Sequence, residues 1–405
     1  MNQKARWALL VCVLAGACGF DPVDRATADA VAARECTPAE LDAIRNGAPV
    51  TCSCTLTEGE TITHPLVFEG DSASGVTFDG NGAVIDAPGY TIEVRSIVEP
   101  ALGSDGSPLV EHGHAVPLKN DNGYYVRKRP ENVTIKNCVI KGKVRVWGLG
   151  ENGQHGYQWH SSRDLAAPGH VERARDAAPT RITFENVTIE GTGGILFYLG
   201  PGATYVTLKK SELKGTGKLN VYFDAETAFN VVTGNHIHAN TNRGFFNQQF
   251  RGGDRELFAL DGSSYNTITD NRFSQLQNGG IYLYRNCGEC GAVRVSTPSH
   301  NRIANNYFYY NRYNGPNPAV WLGSRNTLKF DRYCGKDKDV DYGSGASDWD
   351  YAQDNEVRDN QIVKRSVSDM IVVGLDRFPN TTERMRKRAR QVNSGNAIEG
   401  NTTVR

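Results

Sequence analysis

Apolar residues recur along this chain at a fixed spacing, and asparagine recurs with them. Asn230-Val-Val232-Thr-Gly-Asn235-His-Ile237 has the same layout as Asn266-Thr-Ile268-Thr-Asp-Asn271-Arg-Phe273. So do Asn301-Arg-Ile303-Ala-Asn-Asn306-Tyr-Phe308, Asn355-Glu-Val357-Arg-Asp-Asn360-Gln-Ile362 and Asn396-Ala-Ile398-Glu-Gly-Asn401. The template is Asn-x-[Ile/Val]-x-x-Asn-x-[Ile/Phe], and its recurrence is the mark of a repeat architecture. Upstream, Val133/Ile135/Cys138/Ile140, Ile182/Phe184/Val187/Ile189 and Val206/Leu208/Ser211/Leu213 keep the apolar spacing without the asparagines. In each segment, alternation turns one face inward. A small residue or Asn takes the bend, and a second short strand follows. Such a coil cannot bury its inner face alone, so neighbouring coils must stack. Asn suits the bend because it tolerates the left-handed region and its amide can bond the next Asn in the stack. A β-sandwich with Asn-rich turns would not hold an eight-residue template through these copies.

The pattern resembles the right-handed parallel β-helix proteins: pectate-lyase-like enzymes, polygalacturonase-like hydrolases, alginate epimerases and lyases, and phage tailspikes. Gly75-Val-Thr-Phe-Asp-Gly-Asn-Gly-Ala-Val-Ile-Asp86 resembles the opening coil of many of them. The resemblance covers residues 64–405. It implies an all-β, single-stranded right-handed parallel β-helix solenoid. It is specific for fold and poor for chemistry, because this architecture hosts many activities. Ahead of it, Thr37-Pro-Ala-Glu40 is a capping box with Pro at the first helical position, and it predicts a short helix through Arg45. The first coil of a β-helix is an open edge. Residues 19–63 are therefore read as a linker and a capping helix.

Composition narrows the function classes. The 405 residues carry 45 Lys+Arg against 45 Asp+Glu, which lacks the basic balance of a nucleic-acid-binding protein. Residues 1–18 read as an export signal, with Lys4 and Arg6 ahead of an apolar run from Trp7 to Leu14. Leu14-Ala-Gly-Ala-Cys18 resembles a bacterial lipobox one residue out of register, and Ala15-x-Ala17 also fits ordinary cleavage. The expectation is a monomer exported to the outer membrane or cell surface, anchored through lipidated Cys18; free secretion or a periplasmic location is the alternative. Export permits disulfides. Cys36 is expected to bridge to Cys52 or Cys54, and Cys138 reads as a buried thiol. Cys287 and Cys290 form a lone Cys-x-x-Cys pair, one coil ahead of Cys334; a single pair is a weak zinc signal.

Three insertions, about 96–130, 148–179 and 323–354, interrupt the coils at a similar point and could wall a groove. Beside them, Lys143-Val-Arg-Val-Trp147, Gly194-Ile-Leu-Phe-Tyr198, Lys218-Leu-Asn-Val-Tyr222, Gly244-Phe-Phe-Asn-Gln248 and Gly280-Ile-Tyr-Leu-Tyr284 read as equivalent strands. Alternation sends Val144, Ile195, Leu219, Phe245 and Ile281 inward. It sends Trp147, Tyr198, Tyr222, Gln248 and Tyr284 outward, and Trp321 extends the line. Aromatics in a solvated row expect a cover. Either sugar rings stack on them, or the insertions close over them and make a second core.

Charged residues gather beyond these strands, and they suit two chemistries. In β-elimination on a uronate polysaccharide, a cation neutralises the carboxylate while a base takes the adjacent proton and an acid protonates the leaving oxygen. Arg251, Arg285, Tyr282 and Tyr284 are the candidates. Glycoside hydrolysis instead needs a carboxyl pair at a defined separation. Asp224, Glu226, Asp261 and Glu289 are the candidates, with Arg294 near. Trp147, Tyr198, Tyr222, Gln248, Glu289 and Trp321 would line the groove. His155 and His160 lie in an insertion that could fold over it. The catalytic motifs of polygalacturonases, alginate epimerases and chondroitinase-B-like lyases are absent, so no catalytic residue is carried over from a family. Asp337, Asp339, Asp341 and Asp348 have a calcium-like spacing, read either as a Ca2+ loop or as a solvated acidic loop. The expected activity is a lyase acting on an acidic polysaccharide. A glycoside hydrolase and a non-catalytic glycan-binding surface protein are the alternatives.

Overall fold

The structure, a computed structural model, describes residues 33–149, 155–191, 194–215, 219–238, 256–274, 276, 279–285, 294–310, 318–323, 352–363, 371–373 and 395–404. The chain winds as a parallel β-helix, and each coil adds short strands to three parallel rows. In the first row Phe78, Ile135, Phe184, Leu208, Val232, Ile268, Ile303, Val357 and Ile398 stand in register. In the second, Ile140, Ile189, Leu213, Ile237, Phe273, Phe308 and Ile362 do so. In the third, Val94, Val146, Leu199, Phe223, Leu260, Leu283 and Leu322 face inward. Nearly all are fully buried in one continuous core, as the apolar spacing predicts. Parallel pairing begins at Cys54–Thr55, ahead of residue 64.

The asparagines form two ladders at the bends flanking the first row. In one, the Nδ2 atoms of Asn230, Asn266, Asn301 and Asn355 each donate to Oδ1 of the Asn one coil on, at 2.8–3.0 Å. In the other, Asn235, Asn271, Asn306 and Asn360 do the same at 2.8–3.0 Å. The same oxygens accept the backbone N–H of the preceding Asn, as Asn306 Oδ1 does from Asn271 at 3.0 Å. The ladders run upstream into coils that lack Asn, where Val206 N and Ser211 N donate to Asn230 and Asn235. Buried polar groups demand such partners.

One detail differs from expectation. The left-handed backbone belongs to the residue before each ladder asparagine, as at Phe229 (φ 60), Tyr265 (φ 57), His300 (φ 56) and Asp354 (φ 52). The Asn itself keeps ordinary dihedrals so that its side chain points into the stack. A bulky ring at positive φ is strained. Here the strain is repeated in register, and the rings stack outside the coil: Tyr205 on Phe229 at 5.1 Å, Phe229 on Tyr265 at 5.2 Å, Tyr265 on His300 at 4.6 Å.

At the N-terminus, helix α1 (Pro38–Arg45) has the expected capping box, with Thr37 and Glu40 bonded reciprocally. Cys36 is bonded to Cys52, and Cys54 stays a buried thiol, as does Cys138. Burial pushes these thiols up to about 11 and about 12, so both remain protonated and inert.

The insertions leave the coil after third-row strands. The first contributes two antiparallel pairs, Ile97–Val98 with Arg127–Lys128 and Val110–Glu111 with His114–Ala115. The second carries helices α2 (His155–Arg163) and α3 (His170–Ala177). Val98, Tyr125, Tyr157, Ala174 and Ala177 pack the two insertions into a small separate core. Buried Arg173 locks the turn between the helices by donating to the carbonyls of Ser161, Asp164 and Ala166 at 2.7–2.9 Å.

The ladders predict a position-dependent penalty. Asn306→Ala removes the acceptor of two buried Asn271 donors and the donor to Ile268 O and Asn360 Oδ1, and should cost about 2–3 kcal/mol. Asn401→Ala, at the less buried end of the ladder, should cost about 1 kcal/mol or less. Urea unfolding of both variants checks this, and equal losses would remove the ladder from the account.

Candidate functional site

The outer face of the third row carries a cluster of buried aromatic and ionisable side chains. Its strands Ile195–Leu199, Leu219–Phe223, Phe258–Asp261, Ile281–Tyr284 and Val320–Leu322 pair consecutively. Register aligns Arg145, Tyr198, Tyr222, Ala259, Tyr282 and Trp321 along one outward column. Two residues further on, a second column carries Trp147, Asp224, Asp261 and Tyr284, with Asp261 opposite Tyr284. Gly200 and Gly323 occupy other places in that column, and Gly200 meets the neighbouring coil closely. A Cβ at Gly200 would come within 2.5 Å of the Gly148 backbone nitrogen, so the closeness of the two coils admits only glycine.

Several expectations are corrected here. The expected row of solvated rings is a second core. Trp147, Tyr198, Tyr222, Tyr282, Tyr284 and Trp321 are each 6% exposed or less and pack on one another, with Trp147 to Tyr198 and Tyr198 to Tyr222 both at 5.8 Å. Ile195 and Leu219, expected inward, join this outer cluster, because Phe197 and Val221 take the core-facing places. The strand that follows Leu219–Phe223 in this row is Phe258–Asp261, and not the stretch at 244–248. Its outward residue is Ala259, and this is why a search for outward aromatics misses it. Gln248, Arg251, Glu289, the aspartates at 337, 339, 341 and 348, Cys18 and the Cys-x-x-Cys pair lie outside the described residues.

The columns converge on a carboxylate pair. Asp224 and Asp261, on consecutive coils, both reach Nη1 of Arg294, Asp261 at 3.3 Å and Asp224 closer. Each accepts a phenol proton diagonally, Asp224 from Tyr198 and Asp261 from Tyr222. The Ala225 backbone N–H donates to Asp224 Oδ1 at 2.8 Å. Asp261 is fully buried, and Asp224 is 7% exposed. Burial, and then the charges of Asp261 and Asp224, push the Tyr222 phenol well above its ordinary value. A coil away, Tyr284 donates to the buried Glu256. At the other end, Trp147 Nε1 donates to Glu93 at 2.6 Å, and the Arg145 guanidinium lies 5.6 Å from the Tyr198 ring centroid.

Other candidates turn out to brace this pair. Arg285 is fully buried and donates to the Arg294 carbonyl at 2.7 Å, so it positions the segment that carries Arg294. Glu226, also fully buried, sits at φ 64 and accepts from the backbone N–H groups of Val295 and Ser296 at 2.7 and 2.9 Å. His170 Nε2 of α3 stands 3.5 Å from the same carboxylate, and Arg175 donates to the Glu226 carbonyl at 2.8 Å. Burial alone would raise this carboxyl; His170, Ser296 and Val295 outweigh it and hold it at about 2. Glu226 is thus engaged in tying α3 and residues 294–296 to the coil. His160, expected near the groove, bonds the His114 carbonyl at 3.2 Å within the insertions. His170 was not legible as a partner, since nothing near it in sequence repeats.

A family described as a right handed beta helix region matches residues 171–362, and with the coil geometry it identifies a right-handed parallel β-helix protein. No curated relative matches the chain. Among solved structures, the chain is similar to the DFA-IIIase from Arthrobacter chlorophenolicus A6, at 11% identity and TM-score 0.43 over 90% of this chain and 82% of that one. It is similar to an alginate lyase from Paenibacillus sp. str. FPU-7, at 12% identity and TM-score 0.32 over 86% and 94% of the two chains. It is also similar to a periplasmic alginate epimerase, at 11% identity and TM-score 0.28 over 88% and 78%. Likenesses this remote carry no argument about chemistry.

The Glu226 environment gives a pH prediction. Its carboxyl is depressed on folding, so the stabilisation is present above its unfolded value, near 4.5, and is lost as pH falls towards about 2. Glu226→Gln should lose on the order of 3 kcal/mol at pH 7, and the gap to wild type should close as pH falls from 4.5 towards 2. Denaturant midpoints measured across that range check it; a gap that is constant with pH would contradict it.

Proposed function

We propose that this chain is a carbohydrate-active enzyme that cleaves a glycosidic bond by hydrolysis, with Asp224 and Asp261 as the acting carboxyls. The observation that carries the reading is their placement. They stand side by side on consecutive coils, within reach of one guanidinium nitrogen of Arg294, and each is oriented by a tyrosine phenol. Adjacent strands lie about 4.8 Å apart. This favours the close, retaining separation of about 5–5.5 Å over the wider inverting one. In that mechanism Asp224 attacks the anomeric carbon while Asp261, which enters the cycle protonated, gives its proton to the leaving oxygen; Asp261 then takes a proton from the water that releases the sugar. Arg294 offsets the remaining charge of the pair, and Tyr198 and Tyr222 fix both carboxyls in place.

The flanking aromatics pack into a core of their own that backs the carboxyl pair. An acidic polysaccharide stays the proposed substrate class. Elimination is less well supported, because Arg285 is committed to a backbone carbonyl and Tyr284 to Glu256. Export and attachment through Cys18 belong to the same reading, as does a Ca2+ loop at Asp337, Asp339, Asp341 and Asp348.

Asp224→Asn and Asp261→Asn should each reduce kcat by about 10²–10⁴-fold while the folded protein still binds its glycan. Reducing-end release by folded protein checks this, with circular dichroism as the control. A purely structural ion-pair cluster predicts lost stability with turnover per folded molecule unchanged, and that outcome would overturn the proposal.

A further inference from the structure

Away from the carboxylate pair, one cluster has the composition and spacing of a metal centre. It lies on the outer face of the second row. Glu212, in strand Glu212–Gly215, stands in register with His236, and His238 follows in the same strand, His236–His238. Residues two apart share a face, so both imidazoles meet the carboxylate. One donor atom from each of the three residues lies within 4.8 Å of the others. His238 Nε2 is 2.8 Å from Glu212 Oε1, and His236 Nδ1 is 3.9 Å from the same oxygen. The two ring centroids are 3.8 Å apart.

The two remaining ring nitrogens share one anchor. Ser274 Oγ, on the next coil, is 2.9 Å from His236 Nε2 and 3.2 Å from His238 Nδ1. Ser274 is buried, at 6% exposure. Outer partners of this kind fix the tautomer and orientation of metal-binding histidines. The hydroxyl can accept from both rings, which leaves His236 Nδ1 and His238 Nε2 as lone pairs aimed at the Glu212 side. Of the neighbouring cations, Lys214 bonds the other oxygen of the same carboxylate, Oε2, at 2.7 Å, which leaves Oε1 to the imidazoles, and Arg272 lies over the Tyr307 ring at 5.2 Å.

We propose that Glu212, His236 and His238 bind one divalent transition ion of the zinc type, clamping two consecutive coils. Two imidazoles and a carboxylate are a set that zinc uses, with a water completing the tetrahedron. Ligand bonds of about 2.0–2.2 Å set tetrahedral donors roughly 3.4 Å apart, so His238 Nε2 must back away from Glu212 Oε1 while His236 Nδ1 closes in, movements that side-chain rotation supplies. Without metal, a proton on His238 Nε2 occupies the approach to Glu212. On binding, the ring changes tautomer: Nε2 gives up its proton and Nδ1 takes one, the ion binds at Nε2, and the Ser274 hydroxyl accepts from both rings. No redox change is involved.

The test uses the full chain, stripped with chelator and then titrated with Zn2+ by calorimetry and with Co2+ by visible absorption. Wild type should bind one ion at this site with an imidazole–carboxylate cobalt spectrum. His236→Ala and His238→Ala should abolish it, and Glu212→Gln should weaken it by at least about tenfold, or ~1.4 kcal/mol. Zn2+ should raise the thermal midpoint of wild type and not that of the histidine variants. Ions held by thiolates would show sulfur charge-transfer bands and would survive all three substitutions. The proposal is overturned if wild type takes up no such ion at about 1 mM, or if the two alanine variants bind it unchanged.

Discussion

Stacking coil on coil is the constraint on which the rest of this molecule depends. Each coil exposes its inner apolar face until its neighbours cover it, and each bend leaves backbone groups that water cannot reach. The inward columns answer the first demand: Ile135, Phe184, Leu208, Val232 and Ile268 stack in register and are fully or almost fully buried. The asparagine ladders answer the second, since an amide within them bonds the next amide and commonly a backbone carbonyl of a neighbouring coil, as Asn306 does with Asn360 and with Ile268. Register is thereby fixed to the residue, and precise register is what turns single positions on successive coils into columns on the surface.

The functional geometry follows from those columns. A position two residues along the third row places Trp147, Asp224, Asp261 and Tyr284 in line without any loop having to be aimed. Like charges on adjacent coils would repel at this spacing. The repulsion is met by Arg294, which Arg285 and the Glu226-bound segment at 294–296 hold in place. Helix α3 reaches back from the second insertion through His170 and Arg175 to brace the same turn. The insertion thus supports the site from behind.

Much of the fold was legible in the chain because its signals are local and periodic. Alternating apolar residues and an asparagine every five positions mark bend, strand and direction within eight residues. The left-handed column before the first ladder was not legible, because Phe229 and Tyr265 are bulky residues little expected there and their stacking between coils compensates; before the second ladder the same places hold Gly234, Asp270, Asn305 and Asp359, which suit them. The strand Phe258–Asp261 was passed over for an aromatic-rich stretch nearby, since Ala259 breaks the outward pattern. The burial of Trp147, Tyr222 and Trp321 was left open between groove and second core, because alternation tells which way a ring points and not what covers it. Asp224 and Asp261 were readable as candidates, but their pairing through Arg294 depends on a non-repeating segment, where sequence spacing has no geometric meaning.

Hydrolysis of an acidic glycan by the Asp224–Asp261 pair is tested by incubating the protein with a panel of uronate polysaccharides, following reducing ends and the ultraviolet absorbance of a new C4–C5 double bond together. Hydrolysis yields reducing ends without the absorbance. Both signals rising in step would contradict hydrolysis and assign the bond cleavage to elimination.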